Sequence, residues 1–119
     1  MISFNAKVTI NGLQQKAEMA NKSAQMQLDN DVLKDSNYYA PKDTGNLEAS
    51  SLSSSLIGQG MLYWNTPYAR RLYYNPQYNF ARDKNPNAQG LWFEAAKASK
   101  KDSWLENMRN EYRKYFSGK

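Results

Sequence analysis

The sequence predicts an α+β fold, in which a long N-terminal helix and C-terminal helices pack on a small, mainly antiparallel sheet. Apolar and polar residues alternate between positions 2 and 10, which is the period of a half-buried strand. A stretch of helix-forming residues without Pro or Gly then runs over 13–36. Two short segments, 50–57 and 61–65, flank a pair of glycines and are typical of an antiparallel hairpin.

The predicted first helix has two apolar faces. One face is mostly alanine, which permits close packing, and consists of Leu13, Ala17, Ala20, Ala24 and Leu28. Nearly opposite lie Met19, Met26 and Leu33. This second face is either covered within the monomer or contacts a neighbouring subunit, since methionine adapts to irregular surfaces.

A structured loop is predicted after the first helix. Pro41 disfavours helical geometry at the preceding residue, so the chain must turn or extend there. Asp43 and Thr44 can accept hydrogen bonds from backbone N–H groups, and Gly45 can supply a positive φ. We expect a structural or contact loop formed by Pro41, Asp43, Thr44, Gly45 and Leu47.

The second half of the chain should be mainly helical, with one long interruption. Pro67 suits the first turn of a short helix at 68–74. The next segment, 75–89, holds two Pro and four Asn, and loops of this length are usually functional or mobile. Helical patterns resume at Gly90, but two apolar stripes point in different directions, so we expect a break, a bend or a change of face at 100–103. Residues 1–119 should form a single domain.

The residue types present argue against catalysis. The chain has no cysteine and no histidine, which removes the thiolate nucleophile, the commonest general base and the commonest metal ligand. We therefore expect no enzyme, with no catalytic residue, no metal site and no cofactor. The triplet Asp43-Thr44-Gly45 resembles that of dimeric aspartic proteases, but it follows a long helix in a polar context. We interpret it as a loop or a helix cap.

Basic charge is concentrated in the second half of the chain. The net charge is +5, with −1 over residues 1–60 and +6 over 61–119. Such a half is either a solvated basic face or a surface for nucleic acid or an acidic protein. The pair Arg70-Arg71, flanked by tyrosines, leaves the same choice between an ordinary amphipathic helix and a nucleic-acid surface. A small basic nucleic-acid-binding protein is therefore the alternative function.

Three segments, taken in order, resemble a known family. They are 39–47 (YAPKDTGNL), 64–74 (WNTPYARRLYY) and 92–96 (WFEAA), with a glycine-centred hairpin between the first two. This order is similar to the minor capsid, or tail-completion, proteins of long-tailed bacteriophages and prophages. The resemblance covers most of the chain, from about residue 2 to residue 104.

The resemblance implies a structural protein that joins or completes the head–tail interface, without catalysis or cofactor, as a ring of about six or twelve copies. The implied partners are connector or portal-side proteins and tail-tube or tail-terminator proteins; DNA in transit is a further candidate contact. The implied location is the head–tail junction of the virion, after assembly in the host bacterial cytoplasm. No apolar run is long enough to span a membrane. The candidate partner-contact residues are Met19, Met26, Trp64, Tyr68, Arg70, Arg71, Tyr73 and Tyr74.

Overall fold

The computed structural model describes residues 11–42 and 45–116, with side chains from Leu13 onward. In these residues the regular structure consists of four helices. They are α1 (Asn11–Tyr39), α2 (Asn46–Ser54), α3 (Ala69–Tyr73) and α4 (Trp92–Arg113). Within the same residues, strand-type pairing is limited to one isolated antiparallel bridge between Leu56 and Met61.

The predicted α+β fold is wrong, because the described residues pack as helices and form no sheet. Most of the segment 50–57, predicted as a strand, belongs to α2. Its serines fit a helix because they bond back along the chain: Ser50 Oγ donates to the Leu47 carbonyl and Ser51 Oγ to the Glu48 carbonyl, both at 2.6 Å. The strand predicted at residues 2–10 lies outside the described residues.

Two long helices, α1 and α4, pack against each other in antiparallel orientation. Polar contacts show the direction: Ser23 bonds Glu111 at 2.9 Å, and Asp35 accepts the indole N–H of Trp104 at 2.7 Å. As the residue number rises along α1, that of its partner falls along α4. With 29 residues, α1 is about 43 Å long and forms the spine of the molecule.

The alanine face predicted for α1 is largely confirmed. Its members from Ala17 to Leu28 are buried, whereas Leu13 is exposed. Small side chains on this face let the two backbones approach closely. The main cluster between the two helices contains buried Leu28, Val32, Ala96 and Trp104, with Tyr39, Leu62, Phe93 and Met108 packed against them.

Of the alternatives expected at 100–103, a break is wrong, because α4 is continuous from Trp92 to Arg113. Residues 97–103 are all exposed, and no Pro or Gly interrupts them. On the apolar side, the rings of Phe93 and Trp104 stack 6.2 Å apart at 19°. The two stacked rings together cover the apolar side of α4 between Phe93 and Trp104. Residues 97–103 therefore need to contribute no further apolar side chain.

Between the two long helices the chain forms a separate lobe, residues 40–91. Its core contains buried Ala40, Leu47, Ala69 and Trp92, with Tyr39, Trp64, Tyr68, Leu72 and Tyr73 packed around them. The short helix predicted at 68–74 is confirmed as α3. The end of the long loop is fixed to both neighbouring elements: the Gln89 N–H donates to the Tyr39 carbonyl and the Leu91 N–H to the Tyr73 carbonyl, both at 2.9 Å.

Candidate functional site

An aromatic cluster packs against the buried side of α3. Trp92, the first residue of α4, is 1% exposed, and its ring lies edge-on to those of Tyr73 at 4.7 Å and Trp64 at 5.9 Å. The indole N–H of Trp64 donates to Asn37 Oδ1 on α1 at 2.9 Å. Edge-to-face contacts of this kind add to the stabilisation from burial. They fix α3 relative to both long helices.

The side chain of Tyr73, a residue of α3, also lies next to the first turn of α4. This helix begins after Leu91, whose φ of 50° is left-handed and whose side chain makes no capping hydrogen bond. Burial raises the pKa of the Tyr73 hydroxyl above 10.0; the Glu94 carboxylate raises it further, and a backbone hydrogen bond at Glu94 lowers it. The hydroxyl therefore sits beside the first turn of α4, where backbone N–H groups lack helical partners.

Opposite this buried side, α3 presents arginine and tyrosine to the outside. Tyr74 is 64% exposed, and the Arg70 guanidinium lies 5.8 Å from the centroid of its ring. Arg71 is exposed as well. We call Arg70, Arg71 and Tyr74 the arginine–tyrosine surface. Among the sequence-predicted contact residues, Tyr68 and Tyr73 are half-buried and serve mainly to pack this segment.

The predicted methionine face of α1 divides into a covered and an open part. Leu33 is buried. Met26 is 42% exposed and packs against a turn of the lobe, since a Cβ on Gly58 would lie 3.1 Å from its Cγ. Met19 is 57% exposed and lies four residues before Ser23, which bonds Glu111 near the end of α4. We call Met19 and Met26 the methionine surface.

In the predicted loop at 41–47, the structure describes the two ends. Pro41 is half-buried and Leu47 is buried in the core of the lobe. Gly45 has φ of +79°, which confirms the expected left-handed conformation. Asp43 and Thr44 lie outside the described residues. The loop thus joins α1 to α2 and inserts Leu47 under α3.

Several polar residues that hold the site together were missed in the sequence. Asp29 is 3% exposed and accepts the N–H groups of Gly58 and Gly60 at 2.8 and 2.9 Å. Asn85, in the long loop, donates to the carbonyls of Tyr38 and Ala40. No periodic signal marks such residues, because their partners are backbone groups distant in sequence.

These features define the class of the protein. It is a small helical protein whose buried polar side chains mainly form hydrogen bonds with backbone groups, and its exposed surfaces are rich in residues suited to protein–protein contacts. A family model described as minor capsid protein matches residues 4–111, so the chain belongs to the minor capsid protein family. The protein is a structural component of a bacteriophage particle, and the family is a structural one, not a family of enzymes. Its location is the virion.

No curated protein and no solved structure gives a significant match to the chain. Among the described helices, none is long and apolar enough to cross a membrane. The family assignment therefore rests on the match over residues 4–111.

Proposed function

We propose that this protein joins or completes the head–tail interface of a tailed bacteriophage as one subunit of an oligomeric ring. The family match supports a place in the particle. The order of the three segments that resemble tail-completion proteins supports a place at the junction. The proposed partners are connector or portal-side proteins on one side and tail-tube or tail-terminator proteins on the other.

The observation that carries the ring is the separation of two different exposed surfaces. A subunit at a junction has to contact copies of itself and also proteins above or below the ring. Met19 lies 20 residues before Tyr39 on α1, which is about 30 Å along the helix. Tyr39 packs against the cluster that supports α3. The methionine surface and the arginine–tyrosine surface therefore lie far apart, and both can be occupied at once.

The methionine surface is the better candidate for contact between copies. An exposed methionine adapts to an irregular partner without requiring a charge of opposite sign. We propose that Met19 contacts the neighbouring subunit in the ring. DNA passing through the ring is a further candidate contact for the basic residues of the second half.

The junction is tested by deleting the gene from the phage and imaging the particles. We expect filled heads without attached tails, and complementation with the wild-type gene should restore joined particles. Purified protein should also co-assemble with the connector or with the tail tube of the same phage. Joined, infectious particles in the deletion strain would contradict the proposal.

The ring contact is tested with Met19→Glu, which places a charge on the methionine surface. Native mass spectrometry of the co-assembled complex should show fewer copies than for the wild type. Ala98→Glu is the matched control, because Ala98 is exposed on α4 and the charge change is the same. Equal assembly of the two variants would exclude Met19 from the subunit interface.

A further inference from the structure

The arginine–tyrosine surface carries positive charge that the described part of the chain does not neutralise. The ion pairs in that part are Lys42–Glu48, Arg109–Glu106 and Lys114–Glu111. Neither Arg70 nor Arg71 has a carboxylate within 4.0 Å there, and both are exposed. A planar guanidinium with five N–H donors in a fixed fork is suited to binding a carboxylate through two parallel hydrogen bonds.

The surface is also held in a defined position, unlike most exposed arginines. Arg70 lies over the ring of Tyr74, and Tyr73 meets that ring edge-on at 5.0 Å. Tyr73 in turn packs on buried Trp92. Less conformational entropy is lost when a partner binds a surface that is already ordered. Arginine and tyrosine are also among the residues that contribute most to protein–protein binding.

A second copy of this chain offers no matching acidic surface among its described residues. Four carboxylates there are exposed and outside the ion pairs, and each has a lysine within four positions in the sequence. They are Glu18, Asp83, Glu94 and Asp102, beside Lys22, Lys84, Lys97 and Lys101. Asp31 and Asp35 bond to Asn107 and Trp104. Charge complementarity therefore points to a different protein.

Nucleic acid fits the surface less well than protein does. Binding to single strands relies on aromatic faces that are open for bases to stack on. Arg70 lies over one face of the Tyr74 ring, 5.8 Å from its centroid, and the ring of Tyr73 stands at 80° to it, so the ring is not open on all sides for a base to stack on. Duplex binding relies on basic residues that follow several phosphates. Here two arginines stand side by side on a helix of five residues.

We infer that the arginine–tyrosine surface docks a carboxylate-bearing face of another protein of the particle, with Arg70 and Arg71 binding the carboxylates. This inference rests on the proposed function, since it assigns one of the junction contacts to a surface. Tyr74 positions Arg70 and supplies apolar contact area. The partner is recognised by acidic side chains next to an apolar or aromatic residue.

The test measures binding of the full chain to the purified connector and tail proteins of the same phage, each immobilised in turn. The test variant is Arg70→Glu with Arg71→Glu. The matched control is Arg109→Glu with Arg113→Glu, which changes the same charge on the exposed face of α4 far from α3. We expect binding of the test variant to one partner to weaken about tenfold or more, and that of the control to remain within about twofold.

Two more measurements separate a carboxylate contact from general attraction. Arg70→Lys with Arg71→Lys keeps the charge but removes the fork, so it should weaken binding by an intermediate factor. Exchange of an acidic residue for arginine on the partner should restore binding of the Arg70→Glu, Arg71→Glu variant. Circular dichroism of each variant checks that the helices are retained.

The outcomes are distinguishable. If the wild type binds a partner and the test variant binds it equally well, the inference is wrong and the proposed function stands. If the wild type binds none of these proteins, both are wrong. If the test variant loses binding to a labelled 20-bp duplex, a length of about two helical turns, but keeps its protein partner, the surface is a nucleic-acid site and the inference is overturned.

Discussion

The helical hairpin of α1 and α4 and the lobe of residues 40–91 are held together in different ways. In the hairpin, each helix satisfies its own backbone, so the contacts between the two are made by side chains, as between Asp35 and Trp104. In the lobe, backbone groups bond directly to side chains, as the Ala40 carbonyl does to Asn85 and the Gly58 N–H to Asp29 of α1. A segment with little regular structure has buried backbone groups that need such partners. The exposed arginine–tyrosine surface belongs to this second kind of region.

The largest effect is expected at the junction of the two regions. Trp92→Ala removes the ring that supports Trp64 and Tyr73, so the free energy of unfolding should fall by about 3–5 kcal/mol. Urea denaturation measures this change. Tyr74→Ala, at an exposed ring, is the control and should change stability by about 0.5 kcal/mol or less. A loss below about 1 kcal/mol for Trp92→Ala would mean that the lobe is not supported by this cluster.

The next effect concerns the attachment of the lobe to α1. Asp29→Ala leaves the N–H groups of Gly58 and Gly60 without their acceptor, which should cost about 1–3 kcal/mol. Hydrogen exchange should show loss of protection at these two amides before any loss within α4. Asp102→Ala, at an exposed carboxylate, serves as the control. Unchanged protection at Gly58 and Gly60 would contradict the hydrogen bonds described.

Two glycines of the lobe are required for different reasons, Gly90 because a side chain would clash and Gly45 because of its backbone conformation. A Cβ on Gly90 would lie 2.9 Å from both the Leu72 carbonyl oxygen and Pro76 Cα, so Gly90→Ala should cost about 1–3 kcal/mol. Gly45 has open space but positive φ, so Gly45→Ala should cost about 1 kcal/mol. Thermal unfolding measures both. Gly45→Asn should be milder than Gly45→Ala, because asparagine adopts left-handed conformations more readily; the reverse order would exclude this explanation.

The smallest effect is a pH dependence from Tyr73. Its pKa is raised above 10.0 in the folded protein, so the proton is held more tightly there than in the unfolded chain. The resulting stability is complete below pH 10.0 and is lost as the pH rises through the folded pKa. Tyr73→Phe should reduce this alkaline loss, because it removes the hydroxyl that titrates. Denaturant midpoints measured from pH 8 to 11 provide the test, in about half-unit steps. Equal alkaline slopes for wild type and Tyr73→Phe would contradict it.

The sequence located the helices of the hairpin better than the structure of the lobe. The alanine spacing of α1 and the short helix at α3 followed from local periodicity, which is a property of each helix alone. In the serine-rich segment at α2, the same residues are compatible with a strand, and burial of Leu47 decided for a helix. The two apolar stripes of α4 left a break, a bend or a change of face open; the helix is continuous, and the rings of Phe93 and Trp104 stack on each other.

The surfaces were predicted less completely than the helices. The sequence marked Arg70, Arg71 and Tyr74 as residues of interest, and the structure places all three on the exposed side of α3. The sequence could not show that the Tyr73 side chain points inward and packs on Trp92. That division depends on packing between elements distant in the chain, which periodicity over five residues does not specify.

By itself, the sequence determined the helical spine, the left-handed position of Gly45 and the family, because these depend on local spacing and on the order of short segments. Tertiary structure alone decided that the described residues form no sheet, that Asp29 is buried, and that no carboxylate of the described residues lies within 4.0 Å of Arg70 or Arg71. Each of these depends on which distant group lies opposite. A polar side chain stabilises the fold when folding places a partner beside it. It remains available for docking when folding places none there.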